Sequence, residues 1–218
     1  MSAPAIDPSA PKTVIADTTA NPAPLGLCAF ALTTFLLNAH NAGFFALDSM
    51  ILGMGLFYGG MAQLFVGWME WKKGATFGTL AFTSYGCFWI SLCTLIMLPK
   101  MLPGITPASP TSMAFFLGIW GAMSTVLFYC TFRANTALQV TFGLLVVLFA
   151  LLILGNATHG SEISHTFHTL AGWEGMLTAL AAGYTGLAQV VNEMYGKVVW
   201  PLNKAAAPAP KAGMQKAA

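Results

Sequence analysis

Residues 136–156 read TALQVTFGLLVVLFALLILGN, and the fold follows from this stretch. It carries no charged side chain. At about 1.5 Å per residue it is long enough to cross a hydrocarbon core of about 30 Å as one helix. The lipid interior offers no water to backbone N–H and C=O groups, so a spanning segment must satisfy them internally, as a helix does. A barrel strand would be shorter and would alternate apolar with polar residues; this run does neither.

Five further stretches are similarly long and apolar, the last of them holding Glu174: residues 22–39, 49–69, 76–98, 112–132 and 167–192. Asp48 and Glu70 bound the second of them. The expected fold is therefore all-α, a polytopic membrane protein with six transmembrane helices. Composition agrees: 56% of the chain is hydrophobic and 7% charged, against roughly 25% charged in soluble domains. The mean hydropathy is +0.70. One membrane domain is expected over residues 21–202. The tail of residues 1–20 is rich in Pro, Ala and Thr and lacks the apolar core of a cleavable signal. Residues 203–218, with Pro208, Pro210, Lys211 and Lys216, read as a flexible solvated tail.

The basic residues orient the bundle. Lys12 precedes the first span, Lys72 and Lys73 follow the second, Arg133 follows the fourth, and Lys197, Lys204, Lys211 and Lys216 follow the sixth. All eight fall on one side of a six-span chain, and Lys100 alone falls on the other. The positive-inside rule puts both termini in the cytoplasm of a cell whose inner membrane holds the chain. With no basic cluster and a net charge of +2, nucleic-acid binding has no support. Cys28, Cys87, Cys93 and Cys130 lie inside apolar runs without CxxC spacing, so they read as packing residues. The pairs Gly55–Gly59, Gly74–Gly78, Ala179–Gly183 and Ala182–Gly186 have the small-xxx-small spacing that lets membrane helices approach closely.

Asn21-Pro22-Ala23-Pro24-Leu25-Gly26-Leu27 reads as a helix start, with Asn21 as N-cap and Pro22 at the first helical position. Such a start either presents free N–H groups to an anion on the cytoplasmic side or is a plain cap, and the plain cap is favoured on the residues alone. The same motif resembles the signature of the acetate uptake transporter family, in its bacterial succinate–acetate permease branch. The likeness continues through Leu36-Leu37-Asn38-Ala39-His40-Asn41-Ala42-Gly43, Phe57-Tyr58-Gly59-Gly60-Met61-Ala62-Gln63, Lys72-Lys73-Gly74, Phe82-Thr83-Ser84-Tyr85-Gly86, Leu148-Phe149-Ala150-Leu151-Leu152, Ala171-Gly172-Trp173 and Asn192-Glu193.

The resemblance implies a homo-hexamer with a pore through each protomer. It also implies a narrow apolar constriction made by a Phe, a Tyr and a Leu. The matching positions are Phe30, Tyr85 and Leu145, with Leu144 beside the last. It further implies transport of acetate and related small carboxylates, succinate among them, with no cofactor and no catalytic chemistry. Two departures stand out: Glu174 occupies an expected apolar position, and the segment at Tyr195-Gly196-Lys197 and Trp200-Pro201-Leu202 differs from the usual pattern.

No Lys or Arg lies within an expected span, so the carboxylate must meet neutral donors or cross with a proton. The candidates for the vestibules on either side of the neck are Asn21, Pro22, Gly26, Thr33, Asn38, Gln63, Thr83, Ser84, Gln139, Asn156, Glu174 and Asn192. Polar groups in a bilayer face a cavity or another helix, and for each one taken singly the helix is the commoner partner. Glu174 reads either as an acid facing the outer vestibule or as an interfacial residue near a helix start. His40, His159, His165 and His168 map to the outer side and read as loop histidines rather than metal ligands; no metal is expected. The rival reading is an aquaporin-like channel, because Asn21-Pro22-Ala23 is an NPA triplet, but no second triplet occurs. The motifs of hydrolytic enzymes, GxSxG and HExxH, are also lacking.

Overall fold

The computed structural model describes residues 19–203; the expectations placed on residues 1–18 and 204–218, including Lys12, Lys204, Lys211 and Lys216, lie outside the described residues. The described chain is helical throughout. Its six long elements are α1 (Ala23–Asn41), α2 (Ser49–Lys72), α3 (Thr76–Met101), α4 (Pro110–Thr131), α5 (Thr136–Ala157) and α6 (Glu162–Tyr195).

Local chemistry sets most of the boundaries. Asp48 starts α2 by accepting from the Met50 N–H at 3.0 Å. Ser109 accepts from the Ser112 N–H at 3.1 Å with Pro110 next to it, and Asn135 accepts from the Leu138 N–H at 2.8 Å. Gly196, in the left-handed region at φ 62°, ends α6. Gly74 has φ 69° in the turn between α2 and α3, so Gly74–Gly78 is not a helix-packing pair; Gly74 is there because the turn needs that φ.

α2 is not uniform. Gly55–Ala62 winds as a π-helix, and the wider winding disturbs the regular bonding of carbonyls at its edge. Side chains from neighbouring helices meet two of them: Thr33 donates to Met54 O at 3.4 Å, and the Cys93 thiol approaches Leu52 O at 3.7 Å. Gly55 and Gly59 make this approach possible, because a Cβ at either would run into Cys93, Trp89 or Thr33.

Packing runs around a ring. α1 lies along α6, α6 along α5 and α5 along α4, while α2 packs on both α1 and α3. α3 and α4 close the ring with less backbone contact, joined instead by Phe88 against Phe116 and Trp120 and by Tyr85 bonding Ser124. On α6, Ala179, Ala182 and Gly186 are buried, and Gly186 sits against Leu27 and Pro24 of α1. The outward faces are apolar: Phe115 and Tyr129 of α4 are 74% and 76% exposed. Such a belt is stable against lipid rather than water.

Five helices are long and apolar enough to cross a membrane by length and hydropathy. α6 has the length, 34 residues, but a polar flank with Glu174, Thr178, Thr185 and Gln189 lowers its hydropathy. It completes the six because it packs antiparallel along α1 and α5. The N-terminal approach is tied to the α2–α3 turn, where the Lys73 ammonium donates to Thr19 O at 3.0 Å.

Candidate functional site

Two cavities lie end to end on the axis of the ring. The first, about 270 Å³, opens toward the end carrying Lys73 and Arg133, the end the basic residues lead one to expect inside, and is named the inner cavity; its polar lining is Gln63, Glu70, Asn135, Thr141, Thr185 and Gln189. The second, about 210 Å³, opens toward the opposite end, is named the outer cavity, and includes Thr34, Asn38, His40, Asn41, Trp89, Asn156 and His168. Three residues line both: Phe30, Tyr85 and Leu145. They come from α1, α3 and α5 and are 9%, 4% and 4% exposed. Leu144, one residue away, lines neither.

The partition is braced from outside. The Phe30 and Tyr85 rings are tilted with centroids 6.1 Å apart, and Phe142 lies 6.2 Å from Tyr85 on the other side. The Ser124 hydroxyl donates to Trp120 O at 2.8 Å, which leaves its oxygen to accept from the Tyr85 phenol at 2.8 Å. The Tyr85 hydroxyl is thus bonded to α4, and its ring, rather than its polar tip, divides the cavities.

Of the expected vestibule residues, Gln63 lines the inner cavity, and Asn38 and Asn156 line the outer one. Gln63 donates to Gly26 O at 3.2 Å, while its Oε1 is buried without a partner among the described residues. Gly26 has no room for a side chain, because Phe82 fills the space. Asn21 reaches the inner cavity only indirectly, donating to Gln189 Oε1 at 2.8 Å.

Of the two readings of the start of α1, a plain cap or an anion site, the geometry is that of a plain cap. The helix begins at Ala23 with Pro22 in the cap position, one residue later than expected. Asn21 Oδ1 accepts from the Ala23 N–H at 3.1 Å, and Leu25 and Gly26 donate to Pro22 O. Pro22 and Pro24 have no N–H to offer. Every donor of the first turn is absent or already bonded, and the NPA triplet sits at a helix end rather than mid-membrane.

Thr33, Thr83, Ser84, Gln139, Glu174 and Asn192 line neither cavity. Thr33 points at α2, while its neighbour Thr34, one helical step on, reaches the outer cavity. Thr83 packs against Gly67. Glu174 accepts from Thr178 at 3.0 Å on the flank of α6, and its Oε2 is buried without a partner among the described residues. Asn192 fastens the chain end: its Oδ1 accepts from the Val199 and Trp200 N–H groups at 2.7 and 2.9 Å, and its Nδ2 donates to Trp200 O.

The segment after α6 accordingly turns back over the bundle. Tyr184 stacks on Trp200, and Asn203 O accepts from the N–H and hydroxyl of Thr136. Asn203, expected in the flexible tail, is part of this strap. The loop reading of the histidines needs correction too: His40, His165 and His168 lie on helices, and His159 alone is in a turn.

The sequence reading misses Glu70, Asn135, Thr141, Thr185 and Gln189 in the inner cavity, and Thr34, Asn41 and Trp89 in the outer. In the sequence Glu70 reads only as the end of a span. It is 7% exposed and packs on Gly78. An acid set inside the Lys72-Lys73 pair was the available signal.

A bundle of six membrane helices around two polar-lipped cavities with an apolar partition defines a membrane channel or transporter. The family model described as GPR1/FUN34/yaaH matches residues 4–203, and the chain belongs to that family. It is 46% identical over 186 residues to the succinate-acetate/proton symporter SatP of Escherichia coli K12, covering 85% of this chain and 96% of that one. It is 33% identical over 206 residues to acetate permease A of Emericella nidulans, covering 88% and 68%. The solved structure of the bacterial acetate channel SatP superposes with a TM-score of 0.82 at 44% identity, over 85% of this chain and all of that one.

Proposed function

We propose that this chain carries acetate and related small carboxylates across a bacterial inner membrane, both termini inside, as a hexamer with one conduit per protomer. The observation that carries the reading is that Phe30, Tyr85 and Leu145 are shared by two otherwise separate cavities and form the neck between them.

The neck sets the energetics. Stripping a bare carboxylate costs on the order of ten kcal/mol by idealised desolvation estimates, so a hydrated ion does not pass an apolar gap unaided. A proton removes most of that cost. Below the neck the Gln63 amide is fixed in orientation, because its nitrogen must donate to Gly26 O. Above it Thr34 and Trp89 line the cavity, with the Thr34 hydroxyl and the Trp89 indole N–H closed off from it. The transported unit in this reading is acetate with a proton.

The test is uptake into proteoliposomes. Phe30→Ala removes one wall of the partition, so succinate or lactate uptake should rise relative to acetate, and Tyr85→Ala should act alike. Unchanged selectivity in both variants would place the constriction elsewhere. Imposing a pH gradient, acid outside, should raise accumulation; indifference to the gradient would remove the proton from the cycle.

A further inference from the structure

Glu70 is the one carboxyl that lines the inner cavity among the described residues. It stands near the end of α2, seven residues after Gln63. That spacing is two helical turns, about 10 Å, so the two side chains share the face that looks into the cavity. The chain holds Glu70 in place. Lys73 and Ala75 donate their N–H groups to Glu70 O at 3.1 and 3.0 Å, which closes the α2–α3 turn over it. Gly78 of α3 leaves the space that the Glu70 side chain fills. The carboxyl itself makes no hydrogen bond or ion pair among the described residues. An acid at this depth is expensive to keep, and a glutamine would fill the same space without the charge.

Few other charges share its surroundings. The Tyr85 phenol lines the cavity but is bonded to Ser124. Lys73 is the charge that bears on Glu70, and its ammonium donates to Thr19 O at 3.0 Å. Lys72 lies over the Trp68 ring, 5.5 Å from its centroid. Arg133, Glu193 and Lys197, also at this end, are outside the cavity lining, and α5 carries no ionisable residue. The outer cavity has no Asp or Glu in its lining, so a fixed negative charge faces the conduit from one side of the neck.

We propose that Glu70 expels the product: acid that has crossed the neck ionises in the inner cavity, and the fixed Glu70 carboxylate drives the anion out and keeps it from returning. This role deepens the transport reading and rests on it for the substrate and its proton. The carboxylic O–H breaks heterolytically, its proton goes to water at the inner mouth, and the electron pair stays on the departing carboxylate. Carboxyls ordinarily ionise well below neutral pH, so substrate and Glu70 both carry charge there. Two like charges in one cavity of about 270 Å³ repel each other. The apolar neck bars the way back, and the open mouth is the path left.

The experiment reads acetate KM at each face separately, in right-side-out and inverted membrane vesicles, for wild type and Glu70→Gln. Both sides are held at about pH 7.5, where ordinary carboxyls are ionised. Removing a like charge that Lys73 partly offsets predicts an inner-face KM roughly five- to tenfold lower in the variant, with the outer-face KM unchanged. Glu70→Asp keeps the charge and should keep the wild-type inner-face KM, which a purely structural role for the longer side chain would not predict. Asn135→Asp retains an acceptor for the Leu138 N–H and adds a second carboxylate to the same cavity; its inner-face KM should rise. That variant leaves α2 untouched, so it decides the matter even where Glu70→Gln yields no folded protein. An inner-face KM unmoved by Asn135→Asp, or by a folded Glu70→Gln, overturns the expelling role, as does an outer-face KM that moves in step with the inner. Uptake at both faces with such results leaves the transport reading standing. Vesicles that take up no acetate at either face overturn that reading and this role with it.

Discussion

Tyr85 shows how much one hydroxyl does at the partition. Its phenol donates to the Ser124 oxygen, because the Ser124 proton is committed to Trp120 O. Tyr85→Phe removes that bond and keeps the ring, so stability in detergent should fall by about 1 kcal/mol while carboxylate selectivity stays unchanged. Ser124→Ala strands a buried phenol instead and should cost more, about 1–3 kcal/mol. Thermal unfolding of both variants with a selectivity assay checks the pair; a selectivity change in Tyr85→Phe would mean the hydroxyl itself faces the substrate. Motif matching brought Phe30 and Tyr85 to notice, and nothing in composition or spacing singled out either. Polar residues were harder to assign, since one helical step of about 100° separates Thr34, which lines a cavity, from Thr33, which does not. Sequence shows that a hydroxyl is there, but only packing shows which way it faces.

Among the elements, α2 and α6 carry the information that periodicity left out. Long apolar runs located all six helices, because such a run has one solution in lipid, but hydropathy alone singles out five, and the sixth carries Glu174. Hydropathy could not show the π-helical winding of Gly55–Ala62, at whose edge Thr33 and Cys93 arrive from other helices. Glycines with different surroundings separate these effects. Gly172 lies against the Asn41–Ala42 backbone of α1, so Gly172→Val has nowhere to go, and little folded protein should be recovered by size-exclusion chromatography. Gly53 has nothing within 4 Å, and Gly53→Ala should stabilise α2 by about 0.5–1 kcal/mol through helix propensity. A neutral Gly172→Val would contradict the close α1–α6 contact.

For the whole molecule, the six helices fix which loops share a side. Lys73, Arg133 and Lys197 lie at one end and Lys100 at the other. In a background with the four cysteines replaced, Lys100→Cys should react with an impermeant maleimide on intact cells, while Lys197→Cys should react only after permeabilisation. The reverse pattern would invert the orientation. The arrangement of the ends was legible from charge alone, because the basic residues are few and sorted. The closing strap was not, since Asn192 reads like any polar residue until Val199 and Trp200 are seen to fold onto it.

The start of α1 has a consequence for release. Its two prolines and the Asn21 side chain leave the first turn with no spare amide hydrogen. A negatively charged solute passing the start of α1 finds no free amide hydrogen there. Departure on that side is thus not slowed by the kind of cradle that holds phosphate in nucleotide-binding proteins. Exchanging Pro24 for alanine would restore one dangling hydrogen and, with it, a place for a departing anion to linger.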